Sequence, residues 1–451
     1  MNSTVRRQRG VPTPRDRCRG RRGGSPTVIS VAQTAALPAV RPRRALVGAC
    51  LGNAVEWYDF AIYGAFSTIL ARLFFPTGGQ AALAATFAIF ATSFIARPVG
   101  ALAVGRRSDR FGRRPALSRM IAVMSVATAV IGLLPTWSAV GVLAPLSLLL
   151  LRIAQGFSAG GEVPSSVAFL VESAPEGRRG WYGGWHMASI AAGLAGGYGV
   201  AALLTATLSE DALLAWGWRV AFLVAAPLGL VGRYIRRRLS ETRLFEAVGA
   251  PATPRPVADV LRGARRRVGR GFVLVAALAL AFNLWFVFLP SHLAASGVVH
   301  LGPALGAGVV GLFAAAVAAP AMGRLSDRVG RRPVLIAGAL AIAALAVPGF
   351  SLARHSAQGL LVSEIVMGVL IGTLVVTAFV AELFPTAVRA TGVALAYGFA
   401  TAVFGGTAPL MAMVLVVADV GWLIPVYLTV VAVLAIAAAV TAEETAFSEL
   451  S

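Results

Sequence analysis

The sequence predicts an all-α polytopic membrane protein with twelve transmembrane helices in two pseudo-symmetric six-helix bundles. Three observations carry this. The 451 residues are 57% hydrophobic and only 13% charged, with a mean hydropathy of +0.77, more apolar sequence than a soluble globule of ordinary composition holds. The apolar residues gather in stretches near the roughly 20 residues that a bilayer-crossing helix needs. The segment GRRSDRFGRRP at 105–115 returns as GRLSDRVGRRP at 323–333, matching at nine of eleven positions.

The apolar stretches run at about 45–71, 81–105, 118–138, 142–172, 183–208, 215–235, 271–293, 303–323, 334–353, 358–382, 391–417 and 421–441, which is twelve spans. All 40 basic residues are Arg, and 35 of them lie on alternate connections: within 1–44, 105–119, 178–179, 233–270 and 323–333, and at Arg389. By the positive-inside rule those connections and both termini are cytoplasmic. Residues 1–44 lack the compact apolar region of a secretory signal and read as a disordered Arg-rich cytoplasmic tail. The net charge of +21 does not argue for nucleic acid, because it sits in short segments between spans and not on one polar domain.

The duplication is wider than one motif. Glu172, Pro175 and Arg179 recur as Glu382, Pro385 and Arg389, each 210 residues on. The expected organisation is a bundle over 45–235, a cytoplasmic linker over 236–270, a second bundle over 271–441 and a short tail over 442–451. Duplicated membrane halves place a substrate site near the midplane between them and permit alternating access by rocking. Within the repeated motif, Gly105 and Gly323 allow close backbone approach, Asp109 and Asp327 can cap a helix or pair with Arg, and Arg113 and Arg331 anchor the turn. Together with Glu172, Arg179, Glu382 and Arg389 these are the candidate gating residues.

The twelve spans with G-R-x-S-D-R-x-G-R-R-P in both halves resemble the major facilitator superfamily. GNAVEWYDFAIYG (52–64), FIARPVGALAVGRRSDRFGRRP (94–115), LRIAQGFSAGGE (151–162), VESAPEGRRGWYGGW (171–185) and VAELFPTAVRATGVALAYGFATAVFGGTAPL (380–410) are similar to its metabolite:proton symporter branch. The likeness covers about 45–441. It implies the major facilitator fold and proton-linked carriage of dicarboxylates, citrate, shikimate, aromatic acids, proline or betaine. Val163, Pro164, Ser165 and Ser166 depart from the branch pattern after Gly160, Gly161 and Glu162, and Pro164 predicts a kink of the fourth helix near Gly160. His186 stands where Gln is more usual. The ten residues after the last span are too few for the coiled-coil tail of osmosensing betaine carriers.

Ionisable groups inside spans are costly and line cavities or pair. Gly52, Glu56, Asp59 and Tyr63 fall on one face of the first helix, and Glu162 reaches a similar depth on the fourth. Asp59, Glu162 and Glu56 are the candidates for proton coupling. Arg97 and Arg152 can bind a carboxylate in paired hydrogen bonds, with Tyr63, Asn283, Trp285 and Tyr397 as further ligands. Glu364 stands at the repeat equivalent of Arg152, and the two are expected to meet as an external gate.

No cofactor is implied. Cys18 and Cys50 form no metal motif, the four histidines (His186, His292, His300 and His355) are scattered, and neither HExxH nor GxSxG occurs, so the chain reads as no enzyme. The expected partners are protons, a small carboxylate or zwitterion and the bilayer, with the monomer functional and no nucleic acid. The reading is a multi-pass transporter of a bacterial cytoplasmic membrane that imports this solute with protons. A facilitator or proton-coupled exporter on the same fold stays open.

Overall fold

The computed structural model describes residues 42–111, 113–238 and 256–448. Twelve long helices follow one another: α1 (Pro42–Ala65, continued past Phe66 by Ser67–Phe74), α2 (Gly79–Phe111), α3 (Arg113–Ile131), α4 (Leu143–Ala159 and Glu162–Glu172), α5 (Arg179–Thr207) and α6 (210–238). After a short helix at Pro256–Gly263 come α7 (Arg265–Ala295), α8 (Leu301–Val329), α9 (Arg331–Ala353), α10 (Ala357–Glu382), α11 (Arg389–Val417) and α12 (Leu423–Thr441). Ten are long and apolar enough to cross a membrane. The other two are α1, which carries Glu56 and Asp59 mid-helix, and α3, whose apolar part is Met120–Ile131. The expected tail lies outside the described residues up to position 41.

Association of helices in lipid depends on close backbone packing at small residues, and the two repeats use it identically. A Cβ added to Gly156 of α4 would fall on the Ser93 carbonyl of α2, and one added to Gly368 of α10 would fall on the Gly311 carbonyl of α8. These positions differ by 212 and 218 residues, the same offsets the sequence repeat shows. Between the halves, Gly180 and Gly184 of α5 press on Gly323 and Ala319 of α8, and Gly406 of α11 presses on Phe94 of α2.

The helices are regular only in part. The expected kink of α4 is an interruption at Gly160–Gly161, one turn before Pro164, whose missing N–H leaves the carbonyl of residue 160 without its helical donor. Its counterpart α10 breaks at Leu374–Val375. Widened π-helical turns occur at Leu213–Gly217, Leu284–Phe288, Ala394–Gly398 and Thr401–Gly406. Such turns often mark functional segments, and those in α7 and α11 adjoin the central cavity.

Candidate functional site

The central cavity lies between the halves and is lined by Trp57 of α1, Phe94 of α2, Met187 and Ile190 of α5, Val275, Leu278, Ala279, Phe282 and Asn283 of α7, and Tyr397 and Thr401 of α11. Its volume is about 30 Å³, room for one or two waters. Four of the eleven lining residues are aromatic: Trp57, Phe94, Phe282 and Tyr397. The guanidinium of Arg97 sits behind them, 4.3 Å from the ring centres of Phe60 and Phe94 and 5.3 Å from that of Trp57. It is held by cation–π contact, and its Nε and Nη2 have no hydrogen-bond partner in the protein. Glu56 and the Tyr397 phenol lie close enough to act on this charge.

A second polar group runs through the first bundle. Arg152 of α4 donates to Gln155 Oε1 and to Ser93 Oγ of α2, both at 2.9 Å, and stacks over the Tyr63 ring at 4.3 Å. Gln155 Nε2 donates to Thr128 Oγ1 of α3 at 2.5 Å. That hydroxyl donates to the Met124 carbonyl, and the Asp59 carboxylate lies close enough to take the same proton. The arrangement joins Asp59 to Arg152 across three helices, with every member buried. A hydroxyl and an amide that each both donate and accept can rearrange as Asp59 gains or loses a proton.

At the charged face the two halves are bonded to each other. Asp327 of α8 accepts from the backbone N–H groups of Gly180 (2.7 Å) and Trp181 (2.9 Å) at the start of α5, and pairs with Arg331 at 2.8 Å. A carboxylate at a helix N-terminus meets both its free donors and its dipole. Arg331 also grips Glu382 through two bonds of 3.1 Å, Arg179 reaches Glu382 at 3.6 Å, and Arg389 pairs with Glu172 at 2.7 Å. The segment after α12 joins in. Thr445 donates to Glu382 at 2.6 Å, Ser448 accepts from Arg179, and Glu444 accepts from the N–H groups of Arg331, Arg332, Thr445 and Ala446. Burial of the Glu444 carboxylate pushes its pKa up, but these four donors outweigh burial and hold it below the usual carboxylate value. Toward the opposite face, Ser67 and Ser291 meet at 2.8 Å and Tyr198 Oη donates to the Phe286 carbonyl.

The structure therefore brings Glu56, Asp59, Arg97 and Arg152 into one buried region and gathers Asp327, Arg331, Glu172, Arg179, Glu382 and Arg389 at one face. Gly323 makes its expected close approach to α5. Glu162 is buried at the head of the second piece of α4. Gly105 lies within α2. The side chains of Asp109 and Arg113 lie outside what the structure describes. Three expectations are corrected. Arg152 and Glu364 form no ion pair, because Arg152 is held by Gln155 and Ser93 while neither carboxylate oxygen of Glu364 has a hydrogen-bond partner. Tyr63 does not line the cavity: it is buried and donates its hydroxyl to the Thr86 carbonyl at 2.9 Å. Trp285 does not face the cavity, because Nε1 donates to Ser363 of α10 at 2.9 Å and its ring meets Phe350. Asn283 and Tyr397 do line it, with the Asn283 amide donating to its own helix at Ala279.

Sequence reasoning did not single out Ser93, Thr128, Gln155 or Glu444. Gln155, three residues after Arg152 on the same helical face, was the one with a readable signal. Among the described residues no group of three or more His, Cys, Asp or Glu side chains comes together.

Two duplicated helical bundles around a central cavity, with paired charges closing one face, define a membrane carrier that works by alternating access. Comparison with known proteins agrees. The model of the family described as "Sugar (and other) transporter" matches residues 45–247. The proline/betaine transporter of Salmonella typhimurium is 34% identical over 425 residues, covering 90% of this chain and 84% of that protein. The citrate-proton symporter of Klebsiella pneumoniae is 34% identical over 385 residues, covering 82% and 86%. The crystallised proton:xylose symporter XylE, with 6-bromo-6-deoxy-D-glucose bound, shares the fold at a TM-score of 0.72 and 19% identity, over 91% of this chain and 97% of that one. The chain belongs to the major facilitator superfamily, in its metabolite:proton symporter branch. It is a multi-pass membrane transporter and not an enzyme.

Proposed function

We propose that the chain imports a small zwitterion or organic acid together with protons, with 45–235 rocking against 271–441 about the linker 236–270. The observation that carries this is the central cavity, where aromatic rings stand in front of a buried guanidinium. Trp57, Phe94, Phe282 and Tyr397 offer π-faces to a ligand cation, and the unbonded edge of Arg97 offers paired donors to a carboxylate. A solute with both groups, of the proline or betaine kind that the Salmonella relative is named for, uses both features. A di- or tricarboxylate uses only Arg97. Asn283 and Thr401 supply the remaining polar contacts.

Proton coupling falls to Asp59, with Glu56 and Glu162 supporting it. The Thr128–Gln155–Arg152 chain gives Asp59 a cation to pair with when ionised. Binding of a carboxylate at Arg97 releases Glu56 from that charge, so that substrate and proton favour each other's occupancy. The Asp327, Arg331, Glu382 and Glu172–Arg389 contacts act as the inner gate, and their face is cytoplasmic by the distribution of Arg. Both termini lie on that side, and the monomer is the working unit in a bacterial cytoplasmic membrane.

Uptake of labelled proline, glycine betaine, citrate and xylose into proteoliposomes with an imposed pH gradient tests this reading. Accumulation of one zwitterion or carboxylate that collapses with the gradient is expected. Xylose accumulation, or flux that ignores the gradient, contradicts it.

A further inference from the structure

Glu364 is the charged residue that the mechanism above leaves unused. It lies on α10, seven residues and about 10 Å from the end opposite the charged face. It is 0% exposed, and neither oxygen has a hydrogen-bond partner in the protein. Its surroundings follow from the repeat. In the first half, Arg152 stands against Ser93 and Gln155, with Thr128 one step further. In the second half the same offsets put Gly311, Met367 and Ala346 in those places. The matched contacts of Gly156 on Ser93 and Gly368 on Gly311 fix this register in three dimensions. Each of the three hydrogen-bonding side chains has been replaced by an apolar one.

Among the described residues no basic side chain is bonded to Glu364. From α5 the Tyr198 phenol faces Glu364, but its hydroxyl is spent on the Phe286 carbonyl. His186 lies twelve residues nearer the charged face on α5, about 18 Å away along the helix. On α8 the charges are Arg324, Asp327 and Arg328, and on α9 they are Arg331 and Arg332, all at the charged face; at the other end Arg354 and His355 follow α9, His292 stands near the end of α7 and His300 precedes α8, and none of them bonds either oxygen of Glu364. On α7, Trp285 is engaged with Ser363. An ionised carboxylate in such a place carries the full desolvation penalty with nothing to offset it.

We propose that Glu364 is a second proton-carrying site of the transport cycle, holding its proton as the neutral acid in this closed conformation and releasing it when α8 and α10 part from α5. This rests on the proton-coupled reading above. It adds to the carboxylates of the first half one in the second, Glu364, which has no hydrogen-bond partner in the protein.

The test uses the purified full chain. Difference infrared spectroscopy at neutral pH is expected to show a neutral-carboxyl carbonyl band that is lost in Glu364→Gln and weakened in Met367→Gln, which returns an amide donor to the site. In proteoliposomes, Glu364→Gln is expected to keep substrate exchange while losing accumulation on the order of 50-fold under a 100 mV gradient, the share one proton carries. An unchanged band in Glu364→Gln, or an unchanged proton-to-substrate ratio, overturns the proposal. Loss of exchange in Glu364→Gln, with the band absent from the wild type, assigns Glu364 to packing and overturns it as well. The band reports Glu364 whatever the wild type transports, whereas gradient-independent flux by the wild type defeats the symport reading on its own.

Discussion

Replacing Asp327 with Asn weakens the inner gate at one defined point. The carboxylate accepts two backbone N–H groups from α5, at 2.7 and 2.9 Å, and these bonds cross from one half to the other. Hydrogen bonds to a charged group contribute about 1.5–3 kcal/mol each, against about 1 for a neutral one. The Asn carbonyl can still accept one of them. The charge opposite the α5 dipole, about 0.3–1 kcal/mol, is lost as well. Arg331 keeps Glu382, so the second half itself holds. The sum is about 3 kcal/mol taken from the closed state, roughly a 100-fold shift toward the state open at this face. Spin labels on cysteines placed at the exposed positions Glu176 and Arg328, with Cys18 and Cys50 changed to Ser, report the distance across the gate. Wild type is expected to give one short distance, and Asp327→Asn a second, longer population. A single unchanged distance in Asp327→Asn refutes the assignment of Asp327 as a bond between the halves.

Further outcomes follow from the same geometry. Asp59→Asn and Glu162→Gln are expected to abolish gradient-driven accumulation while preserving exchange of labelled for unlabelled substrate, because the isosteric amide keeps the packing and removes the titration; accumulation intact in both sinks the coupling assignment. Gly156→Ala places a methyl on the backbone carbonyl of Ser93, which cannot swing aside. A loss of about 1–3 kcal/mol is expected, read as a lower unfolding temperature in detergent. At Glu444 the folded carboxylate titrates below its ordinary value of 4.5. Its contribution is therefore fully present above 4.5 and is lost as pH falls through the depressed value. Glu444→Gln is expected to lower the unfolding temperature at neutral pH and to flatten its decline on acidification, and an identical acid limb in both proteins contradicts this.

Most of the fold was legible in the sequence because hydrocarbon permits few arrangements. Each span must close its own backbone hydrogen bonds, so apolar length located ten of the helices, and the shorter or charge-bearing apolar stretches located α1 and α3. The repeat then supplied the pairing, since a nine-of-eleven match between distant loops leaves little to a topogenic role. The break at Gly160–Gly161 was read from Pro164, whereas the π turns of α7 and α11 were not. Pro290, two residues past Leu284–Phe288, leaves the carbonyl of residue 286 without its helical donor, a signal that the sequence reading did not use. Among the site residues, buried charge was the visible signal, and it found Asp59, Arg97 and Arg152. Direction within a helix was not visible. Trp285 and Tyr63 sit at plausible depth yet turn to Ser363 and Thr86. Pseudo-symmetry misled at Glu364, because equivalent positions in two halves face their own bundles and not each other.

The central claim is that solute and proton move together through one aromatic-lined cavity. The most direct measurement is external pH in lightly buffered proteoliposomes as proline, glycine betaine and a series of mono- and dicarboxylates are added one at a time, wild type beside Asp59→Asn. Alkalinisation on one compound in the wild type, absent from the variant, is expected. Labelled compound crossing with no change of pH contradicts the claim and makes the protein a facilitator.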